Sequence, residues 1–596
     1  MTPHLYVLSI GPVQDFIAAA RRTRDLWFGS FLLSEISKAA AREIAESGGK
    51  LIFPALKKGD KNLEPPAEGE ELEAFNVANV ILAELPEGMD PRAVDSDAQG
   101  AARKEWKKYA VGAKKKAGTI VRDDIWKDQV DDVIEFNAAW VPLGDKYAET
   151  RRRCMRLLAG RKSLRDFRPV KKECPGVLKS SLDGARDSVL KKELKLNRIL
   201  SLQMRLNNGE QLCAVGLTKR LGGNRVPFPS VYRVALDPWI RKIKDNGREA
   251  EDILAEIGKL CAGENSFASG TGKKLYQDFP YDGQICYPSR LESAKNELKE
   301  ILKKKLQKEK LQNSIYRGDP EKLEKIEGHL RTLLDLVGEP NPYLAVLVAD
   351  GDHMGEAISN INLAEDHRTF SGQLATFAQR ARDIVENSYH GCMVYSGGDD
   401  VLAFLPMDTC LDAARALHDE FGTNERGLTL SVGIAIGHAR DPLEDLLDYG
   451  RAAERDAKDP DRNGLALHLH TRSGGETAKI REQWKPEGQN SMDERLRRWV
   501  AMHTQDAIPD KAAYDLLQMA KEYQEWDSVP DGLIEIDVRR LLRRKKAEGG
   551  TRDLSDDDMG SLMHGLESPE DLQRRASELV IARRLAAAAN GGEVND

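Results

Sequence analysis

The sequence predicts an α+β fold: two β-α-β-β-α-β domains, a helical insert domain between them and a helical C-terminal domain. Three observations predict it. Short β-favouring runs alternate with helical periodicity in that order twice, over residues 4–141 and 343–470. From about 151 to 335 the pattern turns helical and polar, and after Gly474-Gly475 it is helical again. With 596 residues and roughly 150 per domain, the length has room for about four domains. The expected divisions are 1–150, 151–336, 337–475 and 476–596.

Each element has its own signal. Residues 4–10, HLYVLSI, alternate and read as a strand that Gly11-Pro12 breaks. From Val13 to Ser47 a single long helix is expected, with Phe16, Ala20, Leu26, Phe31, Leu32 and Ile36 on its apolar face. Strand-like runs follow at 50–56, 76–83 and 133–141, with a helix between the last two. That order is the ferredoxin-like, or palm, arrangement. Residues 290–336, rich in Lys, Glu and Leu at helical spacing, read as an exposed helical hairpin. The second unit starts sharply after GEPNP, 338–342, a turn-forming cluster. Its strands are expected at 343–349, 391–396, 400–405, 428–436 and 465–470, with helices at 368–387, 410–421 and 445–458. Four C-terminal helices are expected at 490–501, 511–526, 536–546 and 569–588.

Composition excludes several classes. Charged residues make up 31% and hydrophobic ones 40%, as in a soluble globular protein. No apolar run approaches the ~18–20 residues of a membrane span, and the N-terminus lacks the basic region and cleavage site of a secretory signal. Seven well-separated cysteines read as reduced thiols of a cytoplasmic protein. Lys+Arg number 90 against 97 Asp+Glu, a formal charge of −7, so nucleic acid would have to be met by a local basic patch. Four runs qualify: 114–116, 151–153, 303–305 and 539–546, and each also reads as a solvated helix face.

The chemistry concentrates in the second unit. Strand 343–349 runs into Asp350-Gly351-Asp352-His353-Met354-Gly355, and some 40 residues on a hairpin presents Ser396-Gly397-Gly398-Asp399-Asp400. Carboxylates at one strand end, beside carboxylates on a neighbouring hairpin, make a hard-oxygen site suited to Mg²⁺ or Mn²⁺. Two such ions can activate a hydroxyl and stabilise a leaving phosphate during in-line transfer. Gly397 and Gly398 allow a tight turn and a nucleotide's approach, and Gly351 and Gly355 do the same near a helix N-terminus. The helix ending in Lys458 brings a compact cation to a polyphosphate.

Residues 343–475 resemble the GGDD-type palm of the nucleotide cyclase and polymerase superfamily. The run Ile10-Gly11-Pro12-Val13-Gln14-Asp15-Phe16-Ile17, followed by Arg21 to Ser30 (RRTRDLWFGS), resembles the first palm of the large subunit of type III-B (Cmr-type) CRISPR effector complexes. So do Gln211 to Arg220 (QLCAVGLTKR), Phe228-Pro229-Ser230-Val231, the strand Gly433 to His438 with Pro442-Leu443, and Arg472-Ser473-Gly474. The resemblance covers most of residues 4–475; the C-terminal part matches in position and character alone.

What the resemblance implies is a subunit that sits with CRISPR RNA, RAMP-type and small helical subunits and, on binding target RNA, converts ATP into 3′–5′ cyclic oligoadenylates. It also implies roles. Asp350 and Asp399 are the expected ligands of two Mg²⁺ or Mn²⁺ ions, and Asp352 and Asp400 support metal and nucleotide. Gly397 and Gly398, with Ser396, Gly351 and Gly355, receive the nucleotide, and Lys458 contacts phosphate.

The sequence departs from the family at two places. Only ten residues precede Gly11, so the HD nuclease domain of many members is not expected; His418-Asp419 spells HD but reads as helix surface. The family's Cys₄ zinc site keeps one cysteine per knuckle, Cys174 and Cys213, and Cys261 and Cys286 supply no further knuckle, so zinc is not expected. Residues 269–274 look like a phosphate-binding loop but carry Lys274 where Ser or Thr should meet Mg²⁺. His438 reads as structural, while Arg21, Arg22, Arg24 and Trp27 read equally as an RNA or partner contact and as internal packing. Two other functions stay in play. One is a silent scaffold organising guide RNA and neighbouring subunits; the other is a free-standing diguanylate cyclase, disfavoured because Asp400-Val401 stand where that family has Glu-Phe.

Overall fold

A strand buried on both faces reads as nearly continuous apolar sequence, and the two central strands of the second unit, YLAVLVADG and LSVGIAIGH, are of that kind. The computed structural model describes residues 2–65, 77–164, 176–191, 204, 206, 209–222, 228–262, 276–303, 320–423, 426–472, 478–486, 488–509, 511–544 and 554–589. Its first sheet holds β1 (His4–Gly11), β2 (Lys50–Phe53), β3 (Val80–Leu85) and β4 (Glu135–Pro142) in the order β2-β3-β1-β4. Helices α1 (Gln14–Ala18) and α2 (Thr23–Glu46) connect β1 to β2, α3 (Pro91–Ala117) and α4 (Asp123–Asp132) connect β3 to β4, and α5 (Tyr147–Ser163) follows β4.

The single helix expected over 13–47 is two helices. Lys219 is fully buried and its ammonium donates to the carbonyls of Phe16, Ile17 and Ala19. Those are the C-terminal carbonyls of α1, which helix continuation would otherwise have used. Lys219 and Arg220 lie on α6 (Ala214–Gly222), a helix of the insert, whose other described helices are α7 (Val231–Asp245), α8 (Arg248–Cys261), α9 (Pro288–Lys303) and α10 (Pro320–Val337). Arg220 Nε donates to Asp25 at 2.5 Å and its Nη2 to Glu210 at 3.0 Å, all three side chains buried. Thr23 donates to the Pro229 carbonyl at 2.6 Å, and Trp27 stacks on Phe31 and Phe228. The motif stretches at 21–30, 211–220 and 228–231 therefore converge on one buried joint. Arg22 is inside it, its pKa lowered to about 9 by burial and then by the Arg220 charge, so the packing reading holds for Arg22 and Trp27, while Arg21 is exposed.

The second sheet runs β10-β9-β8-β5-β7-β6. Its strands are β5 (Tyr343–Gly351), β6 (Cys392–Gly397), β7 (Asp400–Leu405), β8 (Leu430–His438), β9 (Gly464–Leu469) and β10 (Ala478–Gln483). Helices α11 (Met354–Ser359), α12 (Ala364–Asp383), α13 (Cys410–Gly422) and α14 (Leu443–Lys458) connect them. The four strands β8-β5-β7-β6 repeat the first sheet's order, with α5 and α14 in equivalent places after the fourth strand. Both units accordingly reach past the expected divisions: α5 crosses residue 150, and β10 lies beyond 475. One face of the second sheet packs under α12 and α13, and the other joins the core shared with the insert and first unit, through Leu344, Val346, Cys392 and Phe404. The described parts of 290–336, α9 and α10, are not exposed as expected: Leu291, Ala294, Leu323, Ile326 and Leu330 are buried in that shared core, and residues 304–319 lie outside the described residues.

The remaining helices are α15 (Met492–Thr504), α16 (Ala512–Gln524), α17 (Leu533–Arg544), α18 (Asp556–Met563) and α19 (Pro569–Ala589). They are pinned to the second unit by Arg415, which donates to Asp493 at 2.5 Å and lies over the Trp484 ring. Among the described residues no helix is long and apolar enough to cross a membrane.

Candidate functional site

Strand pairing assembles the site. Ala349 of β5 pairs with Val401 of β7, which sets Asp350 beside Asp400 across the strand ends. On the other side of β5, Asp350 pairs with Ser431 of β8. The β6–β7 hairpin closes at Gly397–Asp400, so its two turn residues are Gly398 and Asp399, with Gly398 at φ +77. A two-residue turn opening in the left-handed region matches the twist of the flanking strands. Asp399 then folds over Gly351: a Cβ on that glycine would lie 2.8 Å from Asp399 Cβ and 3.0 Å from its Oδ2. No larger residue fits there without moving the carboxylate.

Lys458 reaches the same point from α14. Its ammonium is ion-paired to Asp350 and, at 2.7 Å, to Glu454 one turn earlier. The helix comes this close because Gly433 of β8 has no side chain; a Cβ there would overlap the backbone of Ala453 and Glu454. Burial pulls the Lys458 ammonium down, but its bonds to Asp350 and Glu454 more than offset it and hold it above the usual lysine range. One lysine does not neutralise three carboxylates. Burial, then the Asp350 charge, pushes Asp399 up to about 6, and Asp400 is pushed up by burial and then by its hydrogen bond and charge contact with Asp350. The cluster carries more negative charge than the protein compensates, which is the property of a site for hard cations.

Two of the expected site residues face elsewhere. Asp352 is 1% exposed. Its Oδ1 accepts from the Ser431 hydroxyl at 2.8 Å, and its Oδ2 accepts from the Thr429 hydroxyl at 2.8 Å and the Asn463 backbone N–H at 3.0 Å. Both oxygens are committed to tying β5 to β8 and to the turn before β9, so in place of the expected metal-supporting role Asp352 serves as a structural carboxylate. Ser396 is engaged by α12 and not by the expected site: its hydroxyl donates to the Ala378 carbonyl at 3.0 Å and fastens the hairpin. Gly355 sits in the first turn of α11 with open space around it. Asp350, Asp399, Asp400, Gly351, Gly397, Gly398 and Lys458 are brought together. Among the described residues, no three His, Cys, Asp or Glu side chains are preset around one point as a metal shell; Lys458 lies on Asp350 instead.

Sequence reasoning missed Glu454, Asn463, Thr429 and Ser431 as partners of the named residues, and it missed Tyr395. A bulge at Val394 shifts the β6–β7 register, so that Met393 faces Ala403 and Tyr395 faces Leu402. The Tyr395 ring thereby lies under Gly397, its hydroxyl donates to the Gly397 carbonyl at 3.4 Å, and burial, then Asp400, Asp399 and Asp350, push its phenol upward. Only the broken alternation of CMVYSG hinted at this.

The other expectations fall as follows. His418 is not helix surface: it stacks on Trp484 at 4.7 Å and its Nε2 is 3.0 Å from Asn463 Oδ1, because β10 delivers Trp484 against α13. His438 packs edge-on to Tyr343, accepts from the Arg440 N–H and is lowered by burial to about 4. Cys213, Cys261 and Cys286 are buried; Cys174, residues 269–274 and Ser473-Gly474 lie outside the described residues.

Comparison with known proteins follows this division. Residues 5–111 match the family described as CRISPR-associated protein Cmr2, N-terminal, and residues 343–466 the family described as Cas10/Cmr2, second palm domain. The CRISPR system Cmr subunit Cmr2 of Pyrococcus furiosus is 26% identical over 571 residues, covering 79% of this chain. The chain spans 62% of the length of that curated relative. The cryo-EM structure of type III-B Cmr-beta in its apo state contains a chain that superposes with TM-score 0.65 at 14% identity, covering 98% of this chain and 82% of that one. The Cmr-beta structure bound to cognate target RNA gives TM-score 0.65 at 15% identity, covering 98% and 83%. At those identities the structures establish the shared fold. In both palm units, and in chain order, the likeness is to the Cmr2/Cas10 large subunits of type III-B.

Proposed function

We propose that the chain works as the large subunit of an RNA-guided type III-B complex and makes 3′–5′ cyclic oligoadenylates from ATP when target RNA is bound. The observation that carries this reading is the convergence of Asp350, Asp399 and Asp400 with Lys458 at adjoining strand ends of a nucleotide cyclase-like palm. Asp350, Asp399 and Asp400 would hold Mg²⁺ or Mn²⁺, which supplies charge neutralisation on phosphate and activation of a ribose 3′-hydroxyl. The chain's own groups do the rest. Lys458, held by Glu454, offers a point cation to the triphosphate. Gly397 and Gly398 leave the hairpin without side chains where the nucleotide lies against it. Gly351 lets Asp399 settle beside Asp350. Fixed charges in a fixed geometry account for most of the rate in phosphoryl chemistry.

The test uses the chain assembled with its guide RNA and the RAMP-type and small helical subunits that the resemblance implies. Target RNA, ATP and Mn²⁺ are added, and products are resolved by chromatography and mass spectrometry. The expected result is cyclic oligoadenylate that depends on target RNA. Asp399→Ala with Asp400→Ala abolishes it while assembly and guide-RNA binding persist. A normally assembled parent complex that makes no cyclic product overturns the reading in favour of a scaffold.

A further inference from the structure

Helix α5 is built for the fold on one side only. Tyr147, Thr150, Arg151, Cys154 and Leu158 are buried, and Arg151 is consumed internally, donating to the Ile361 carbonyl at 3.3 Å and lying over the Tyr147 ring. The opposite side exposes Arg152, Arg153, Arg156, Arg161 and Lys162. Among the described residues, none of these five has a carboxylate within ion-pair distance, while the helix's single acid, Glu149, is taken by Lys146 at 3.0 Å. Arg152 and Arg156 stand at i and i+4, where like charges repel.

The other basic runs present fewer exposed cations among the described residues. Lys114 pairs with Asp123 at 2.7 Å, Lys116 donates to the Leu221 carbonyl at 2.8 Å, and Arg539 pairs with Glu535 at 3.1 Å, which leaves Arg540, Arg543 and Arg544 exposed on that helix; Lys304, Lys305, Lys545 and Lys546 lie outside the described residues. Nor does the architecture ask for this charge. The equivalent helix of the second unit, α14, packs in the same way on its own sheet, yet carries Glu444, Asp445, Asp448, Glu454 and Asp456 against three cations.

We infer that the exposed face of α5 is a contact for the phosphodiester backbone of RNA. Four of the five cations are arginines, whose planar fork suits phosphate oxygens. They are spread along the helix axis, with Arg152 and Arg156 about 6 Å apart. The residues exposed among them, Met155, Leu157, Ala159 and Gly160, include no aromatic ring, so the face offers charge without a platform for stacking bases and reads the backbone without regard to sequence. In a chain of net charge −7, such a patch is what local capture of a polyanion requires. The inference rests on the reading that this chain works with RNA and not on its catalysis.

The test is fluorescence anisotropy of the full-length chain with labelled guide-strand RNA, target-strand RNA and their duplex, across a salt series without ATP. The variant is Arg152→Gln, Arg153→Gln and Arg156→Gln together. All three side chains are exposed, so the melting temperature should be unchanged. Affinity should fall at least tenfold at low salt, and the slope of log K against log salt should shrink by about 2, at about 0.7 per lost phosphate contact on a single strand. The RNA that loses most identifies the strand that lies there. Unchanged affinity and slope would overturn the inference and leave an acidic protein as the face's partner; a parent chain whose RNA binding ignores salt would overturn it too. Asp399→Ala with Asp400→Ala should keep the parental slope, so a failure of the catalytic reading and a failure of this one are separable.

Discussion

Replacing Gly351 by alanine should disable the site by displacement alone. The added Cβ would stand 2.8 Å from Asp399 Cβ and 3.0 Å from Met354 Cγ. Non-bonded carbons settle at about 3.5–4.0 Å, so the first contact is short by about 0.7 Å at least. Met354 can swing its side chain; Asp399 Cβ moves only with the β6–β7 hairpin. A shift approaching 1 Å at a reacting constellation costs on the order of 10²-fold in rate. Overpacking at a partly exposed turn should cost no more than about 1–3 kcal/mol, seen as a melting shift of a few degrees. The expected result is therefore turnover lowered by about 10- to 100-fold in a chain that melts almost as the parent does, with weakened Mn²⁺ binding by electron paramagnetic resonance. Gly355→Ala is the control from the same motif. Nothing lies within 4 Å of its Cβ position, and alanine is favoured over glycine in a helix by about 1 kcal/mol, so turnover should hold and stability rise slightly. Full activity in Gly351→Ala, or an equal loss in both variants, would refute the placement of Asp399 as the reason.

Four more outcomes are expected. Asp352→Ala strands the Thr429 and Ser431 hydroxyls and the Asn463 N–H, and should lower stability in urea by about 3 kcal/mol without changing Mn²⁺ stoichiometry; normal stability with lost Mn²⁺ would restore it as a ligand. Lys458→Met frees Asp350, so Mn²⁺ alone should bind more tightly while KM for ATP rises about tenfold or more; a loss of both would mean that Lys458 organises the site in the absence of nucleotide. Arg220→Met removes the buried cation that bonds both Asp25 and Glu210 and should cost about 3–5 kcal/mol in a denaturant titration. The fourth concerns pH. His367 Nδ1 lies 2.7 Å from the Tyr147 hydroxyl between the two palm units, and burial, then Arg151 and Arg426, lower it to about 4. The unfolded chain takes up this proton near pH 6.5 and the folded chain only near 4. The stabilisation is thus complete above 6.5 and falls away as pH drops toward 4, by on the order of 3 kcal/mol. His367→Gln should flatten the acid branch of the stability curve by that amount; an unchanged branch, with His438 and His470 still titrating in both proteins, would refute it.

What was legible in the sequence follows from how local each cause is. Strand alternation, the GEPNP break and the pair of acidic turns are local, and they located both palm units and the group Asp350, Asp399, Asp400 and Lys458. The break between α1 and α2 was invisible because its cause, Lys219, stands some 200 residues away. Strand β10, AKIREQ, is a polar edge with one buried residue, Ile480, and gives no apolar signal. The short α18 did leave one: Ser555 and Asp558 form a capping box. Asp352 and Ser396 show a different limit. Their residue types suit a metal or a nucleotide, and only the positions of Ser431, Thr429, Asn463 and Ala378 reveal that they are already committed.

The two palm units share one strand order, yet one gathers Asp350, Asp399, Asp400 and Lys458 and the other shows no such group among the described residues, and the difference lies at equivalent positions. In the second unit the first strand ends in Asp350 and meets a two-residue hairpin bearing Asp399 and Asp400, while α14 returns Lys458 to the same point. In the first unit β1 ends in Gly11 and Pro12, and the β2–β3 connection spans residues 54–79 in place of a tight turn. The acid at that strand end is Glu135 of β4, opposite Gly11, and among the described residues it forms no ion pair with α5. Freed from that duty, α5 turns its cations outward, whereas α14 is bound inward through Lys458. The same scaffold thus presents an inward cation to a carboxylate cluster in one unit and an outward cationic face in the other. The division predicts separable phenotypes: charge removal on α5 should change RNA affinity with the ATP KM unmoved, and Lys458→Met should do the reverse. Variants that moved both together would show that the two helices serve one site.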